Sequence, residues 1–192
     1  MCTTHILNVH NAHIVKLKMI RSQFILLSMI DQTSNLLGVV ALEVAHRIEQ
    51  SAREILQHAG ETAAALVVIG YDLGPTNDQL RRVLRLSHSG TVRLVDRLVA
   101  DGLVTRREGD DKREIALYAT KRGKALRERI VKERLAAIRP LLDPLSVSEQ
   151  QQLSSLLQKV LSSMETTDLE RRTLCRLCDK RVCNDCPIPA DL

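Results

Sequence analysis

Leu80-Arg-Arg-Val-Leu-Arg-Leu-Ser-His-Ser-Gly-Thr-Val-Arg-Leu-Val-Asp-Arg-Leu98 is the stretch whose reading decides the fold. Thr76 to Leu84 reads as a short helix, with Asn77 and Asp78 in or near its first turn. Arg85-Leu86 makes a tight connection, and Ser87 is a natural N-cap for a second helix because its hydroxyl can accept an orphan backbone N–H. In that helix Val92, Val95, Leu98 and Val99 form an inward face, while Arg93 and Arg97, four residues apart, share an outward one. Gly102 ends it and the apolar period changes. Leu103 to Glu108 and Glu114 to Thr120 read as two strands joined by Gly109-Asp110-Asp111-Lys112-Arg113. Helix, tight turn, helix and charged ribbon, in that order, make a winged helix-turn-helix.

Such a helix pair reads DNA because the second helix enters the major groove by its N-terminal end, whose residues must be small or polar. Here that end offers Ser87, His88, Ser89 and Thr91, followed by Arg93 and Arg97. Serine and threonine hydroxyls can bond phosphates or bases, and an arginine can pair bidentately with guanine. The free N–H groups at the helix start favour phosphate. Arg107, Lys112 and Arg113 extend the cationic set onto the ribbon. The chain carries a net charge of +5, and between Arg81 and Arg139 there are about two Lys or Arg for each Asp or Glu. A solvated helical surface, or a plain helical hairpin with an accidental Ser/Thr cluster, is the competing explanation.

Leu80 to Leu98, continued through Asp101-Gly-Leu-Val-Thr-Arg-Arg107, Asp111-Lys-Arg113 and Thr120-Lys-Arg-Gly123, resembles the winged helix-turn-helix of MarR-family regulators. The resemblance is specific over about Leu80 to Gly123 and does not reach the cysteine-rich tail. It implies a homodimer held by helices from both chain ends, with two winged lobes on a pseudo-palindromic operator. It also implies that Arg113 enters the minor groove with Asp111 orienting it, and that a small aromatic or anionic ligand binds between the dimer region and the lobes. A narrow minor groove concentrates negative potential, which is what an arginine there would exploit. Gly90 departs from the family's usual pattern, since a glycine in the first turn weakens a helix.

Outward from this lobe, residues 1–33 read as an N-terminal leader and arm, weakly patterned and mobile up to about Arg21. His5, His10 and His13 within it are weak metal candidates, Met19 is a second candidate start, and Cys2 stands alone. Residues 34–60 form a dimerisation helix, whose apolar stripe over Asn35–Ala59 is Leu37, Ala41, Val44, Ile48 and Ile55; His46 and His58 lie off it. A short helix from Glu61 to about Ile69 opens the DNA-binding lobe of residues 61–120. Residues 121–165 hold two further dimerisation helices. The first is capped by Thr120 and ended by Pro140 and Pro144; the second opens at the capping box Ser146–Glu149 and buries Leu153, Leu156, Leu157, Val160 and Met164. These helices carry more apolar stripe than one small lobe can cover, which pairing two chains would bury.

Residues 166–192 are a cysteine-rich tail. Four of the five cysteines fall in Cys175-Arg-Leu-Cys178-Asp-Lys-Arg-Val-Cys183-Asn-Asp-Cys186, two Cys-x-x-Cys pairs in a short span. Four thiolates suit structural Zn2+ first and an iron–sulfur cluster as the alternative, with a thiol–disulfide switch third. Arg171, Arg172, Arg176, Lys180 and Arg181 would favour the thiolate forms.

The expected fold is mainly α, a winged helix-turn-helix with a two-stranded wing and a helical dimerisation region from both chain ends. With aromatics at 2% and no Trp, the core is aliphatic, and base stacking on exposed rings is excluded as a binding mode. No apolar run is long enough to span a bilayer, so the chain reads as cytoplasmic. Neither a phosphate-binding glycine loop nor a His-Glu-x-x-His helix is present, so no enzyme is expected. The expected function is a sequence-specific double-stranded DNA-binding transcription regulator, a repressor responsive to metal, redox state or a small ligand. An iron–sulfur redox protein, or a zinc-stabilised adaptor using the winged lobe for protein contacts, is the alternative.

Overall fold

The computed structural model describes residues 4–56, 61–71, 74–109, 114–183 and 185–189, with side chains from Ser28 onward. The chain divides into two compact units, Met1–His46 and Arg47–Leu192. Helix α1 runs Thr4–Ile55, so the N-terminal stretch expected to be a mobile leader is helical from Thr4. Its sequence contains no proline, and Gly38 is its one glycine, so nothing local stops the helix once it is nucleated. Within the first unit Leu36, Leu37, Val39, Val40 and Leu42 are exposed. Of the expected stripe, Leu37 and Ala41 are exposed, whereas Val44, Ile48 and Ile55 are half-buried.

The second unit holds the end of α1, then α2 (Thr62–Tyr71), α3 (Asn77–Leu84), α4 (His88–Ala100), β1 (Val104–Glu108), β2 (Ile115–Ala119), α5 (Lys121–Ile138), α6 (Val147–Ser162) and α7 (Asp168–Leu174). Helix α2 is the hub. From Thr62 to Ile69 every residue is buried, as its uninterrupted Ala, Leu, Val and Ile composition requires. Around it pack Leu80, Val83 and Leu84 of α3, Leu94, Val95 and Leu98 of α4, Val104 and Leu117 of the ribbon, and Ile130 and Val131 of α5. The antiparallel ribbon pairs Val104 with Ala119 and Glu108 with Ile115, and Gly109 N–H donates to Glu114 O at its outer end.

Two expectations about faces are corrected. The buried face of α4 is Thr91, Leu94, Val95 and Leu98, with Val92 and Val99 half-buried, because α3, β1 and α2 together cover more of the helix than one stripe. Leu153 of α6 is half-buried, and Leu156, Leu157, Val160 and Met164 are exposed. Among the described residues nothing covers this stripe. Helix α7 was not anticipated. It opens at Thr167, whose hydroxyl accepts Glu170 N–H while the Glu170 carboxylate takes the Thr167 N–H, a capping box.

Candidate functional site

The helix pair α3–α4 is fixed by local chemistry. Thr76 caps α3, accepting Gln79 N–H at 3.2 Å while its own N–H donates to Gln79 Oε1 at 3.0 Å. Arg85 ends α3 in the left-handed region at φ 54°, and Leu86 N–H returns to Arg81 O at 3.1 Å, which turns the chain within two residues. Ser87 then caps α4 by accepting Gly90 N–H at 3.1 Å. A Cβ on residue 90 would sit 3.0 Å from Ser87 Oγ, so the glycine clears room for the cap.

Ser87, His88, Ser89, Arg93 and Arg97 are exposed, as a groove-reading end requires. Thr91 is not available to DNA. It is 1% exposed, and its hydroxyl donates to Ser87 O at 3.0 Å, so it anchors the helix start from inside. Among the described residues neither Arg93 nor Arg97 is held in an ion pair, leaving both guanidinium groups for a partner. Beside them Asp96 accepts from Arg106 Nη2 at 2.5 Å, tying α4 to β1. Arg107, exposed on β1, lies over the Tyr118 ring, 5.1 Å from its centroid. The register explains this, since Arg107 faces Ala116 and Tyr118 faces Thr105, making the two diagonal neighbours on one face. Neither Arg106 nor Tyr118 was singled out in the sequence, although strand alternation carried the signal. Asp111, Lys112 and Arg113, expected from the sequence at the wing tip, lie outside the described residues, as does His58.

The tail folds onto α2 and α3. Helix α7 packs against α3, Leu177 reaches the core, Ile188 is 6% exposed, and Arg176 pairs with Glu61 at 3.6 Å. Asp179 is buried, accepting from Arg181 at 3.0 Å and from the Tyr71 hydroxyl at 3.4 Å. The Arg181 guanidinium holds its carboxyl below the usual range. Cys175, Cys178, Cys183 and Cys186 line one cavity of about 310 Å3, and all four are free thiols. A hydrogen bond from Cys175 draws Cys178 down to about 6 and pushes Cys175 up; Arg134 adds to the effect on Cys178. Among the described residues, no three His, Cys, Asp or Glu side chains already stand as a metal-ligand set.

Fold and exposed helix start together define a winged helix-turn-helix protein. Residues 56–114 match the MarR family model. MarR from E. coli, in its apo form, is similar at 25% identity and a TM-score of 0.56, covering 67% of this chain and 96% of its own. MepR, a transcription regulator of the Staphylococcus aureus multidrug efflux pump MepA, is similar at 22% identity and a TM-score of 0.60, covering 69% and 98%. The YusO protein from Bacillus subtilis shares the fold at 17% identity and a TM-score of 0.61, covering 71% and 97%. No curated protein matches by sequence. Over residues 56–114 the chain is therefore similar to the MarR family, and its fold is that of the MarR-type transcription regulators named above. No helix among the described residues is long and apolar enough to cross a membrane.

Proposed function

We propose that the chain is a transcription regulator that binds double-stranded DNA as a homodimer and represses from a pseudo-palindromic operator in the cytoplasm. The observation that carries this is the start of α4, where Ser87, His88 and Ser89 stand exposed at a free helix end with Arg93 and Arg97 on the open face behind them. Laid in a major groove, that end directs hydroxyls and N–H groups to phosphates, and Arg93 reaches a base edge. Arg107 on the ribbon, with Lys112 and Arg113 beyond it in sequence, supplies charge to the flanking backbone and minor groove. Dimer formation is supported by the exposed apolar stripe of α6, which needs a second surface. A cleft of about 600 Å3 lined by Ile55, Leu56, Leu103, Leu126, Arg122 and Arg129 gives a small aromatic or anionic ligand both apolar walls and positive charge.

Selection from a random-sequence duplex pool with the full-length chain tests the reading. It should enrich a two-fold symmetric site. Arg93→Ala should weaken that duplex by about tenfold or more while changing random duplex binding little. A pool that shows no enrichment, or an Arg93→Ala variant indistinguishable from the parent, would refute it.

A further inference from the structure

Contact with DNA through α4 makes no use of the four cysteines on the tail. We propose that Cys175, Cys178, Cys183 and Cys186 form a four-thiolate metal centre whose assembly fixes α7 against α3, the entry helix of the DNA-reading pair. Two Cys-x-x-Cys pairs separated by four residues bring their sulfurs to the wall of a single cavity, closed on its other side by Val68, Tyr71 and Val83. Thiolates select zinc or iron–sulfur clusters over oxygen-seeking cations.

The surroundings suit the charge that such a centre carries. Four thiols lose their protons to solvent as four metal–sulfur bonds form, so a divalent ion ends with a net charge of −2. Arg171, Arg172, Arg176 and Lys180 line the same cavity. The Nε atoms of Arg171 and Arg134 are buried with no hydrogen-bond acceptor, although a buried donor almost always has one. Arg171 belongs to the cavity wall, which places its free N–H for donation towards metal-bound sulfur. An outer shell of this kind tunes and orients thiolate ligands.

The segment is also anchored on the lobe. Thr166 Oγ1 donates to Pro189 O at 3.2 Å, closing the tail into a loop around the cysteines, and Ile188 and Asp179 are buried. Arg85, the residue that turns α3 into α4, shares a cleft with Thr167, Glu170 and Thr173 of the α7 region. Metal binding has to draw the sulfurs into a coordination set, and that movement is delivered to α7 and through it to α3. The coupling to DNA rests on the proposed function; the centre itself does not.

Full-length protein purified without oxygen and stripped with chelator provides the test, with Zn2+, Co2+, and ferrous plus ferric iron with sulfide as probes. Either Co2+ produces thiolate charge-transfer absorption that saturates at one ion per chain and is displaced by Zn2+, or iron and sulfide produce a stable brown chromophore. The two arms tell a zinc site from a cluster site. Loading should raise the melting temperature and slow amide hydrogen exchange across residues 77–84 and 168–174. Cys183→Ser, at an exposed position, should abolish loading without changing the melting of the stripped protein, and Cys178→Ser should do the same for loading. Absence of both signals, or loading that survives both substitutions, overturns the centre. Unchanged exchange in α3 overturns the coupling. On the selected duplex, loaded and stripped protein should differ at least about fivefold in affinity. If neither form holds any duplex, the DNA reading fails while titration and exchange still decide the centre.

Discussion

Gly123 shows how one residue can set the position of a whole helix. A Cβ there would lie 2.1 Å from Leu103 O, a backbone carbonyl that also accepts Thr120 N–H at 3.0 Å and cannot retreat without breaking the join between β1 and α5. Gly123→Ala should therefore destabilise the lobe by about 1–3 kcal/mol, read as a lowered denaturant midpoint at unchanged slope. Gly102, by contrast, has open space around its Cβ position and needs glycine only for its φ of 68°. Its alanine variant should cost about 1–2 kcal/mol through backbone strain alone. Thr91 carries a different test. Because its hydroxyl serves Ser87 O from within the lobe, Thr91→Val should cost about 0.5–1.5 kcal/mol of stability and leave sequence preference in duplex selection unchanged. A changed preference would return Thr91 to the set of DNA-contacting residues. The caps Ser87, Thr120 and Ser146 were legible in the sequence because capping is local chemistry. The burial of Thr91 was not, since which side of α4 faces inward is decided by where α2, α3 and β1 lie.

At the scale of elements, the capping boxes give a pH signature. In the box that opens α6, Ser146 Oγ donates to Glu149 Oε2 at 2.6 Å and Ser146 N–H donates to the same oxygen at 2.8 Å. The hydroxyl bond first, and the backbone bond second, hold the Glu149 carboxyl below its ordinary 4.5. A carboxyl depressed in the folded state contributes stability that is complete above its unfolded value and is lost as pH falls through the folded one. Glu149→Ala should thus melt lower than the parent at neutral pH, with the gap closing as pH is taken down from about 4.5. A gap that stayed constant down to full protonation would show that the carboxylate contributes nothing as an ion. The order of α3, α4, β1, β2 and α5 was readable because each boundary carries a cap, a glycine or a change of period. Helix α7 was overlooked although Thr167-x-x-Glu170 has the same signature as Ser146-x-x-Glu149. It spans only seven residues, too few for an apolar helical period to show before the cysteines begin. The early start of α1 was hidden by weak apolar patterning, where the absence of helix breakers was the better guide.

At the scale of the molecule, the question is what covers the apolar surface that one chain leaves open. On α6, Leu156, Leu157 and Val160 are 61%, 45% and 55% exposed, with Met164 just past the end of the helix. In the other unit Leu36, Leu37, Val39, Val40 and Leu42 are exposed on α1. Scattered exposed leucines need no explanation, but rows at helical spacing on two separate helices do. The order of magnitude for apolar burial is about 25 cal/mol per Å2, so withdrawing several such side chains per chain from water offsets the rotational and translational cost of pairing. A symmetric dimer would use the same stripe twice and close on itself, whereas a heterologous contact would propagate. Sedimentation of the full-length chain should therefore give a dimer. Leu156→Asp combined with Val160→Asp should shift it towards monomer at micromolar concentration while leaving the helical circular dichroism of the winged lobe in place. Because a two-fold operator engages both lobes at once, the same variant should lose more affinity for the selected palindrome than for an isolated half-site. A double variant that stayed dimeric would move the pairing surface away from α6, and one that lost the palindrome and the half-site equally would separate dimerisation from DNA recognition.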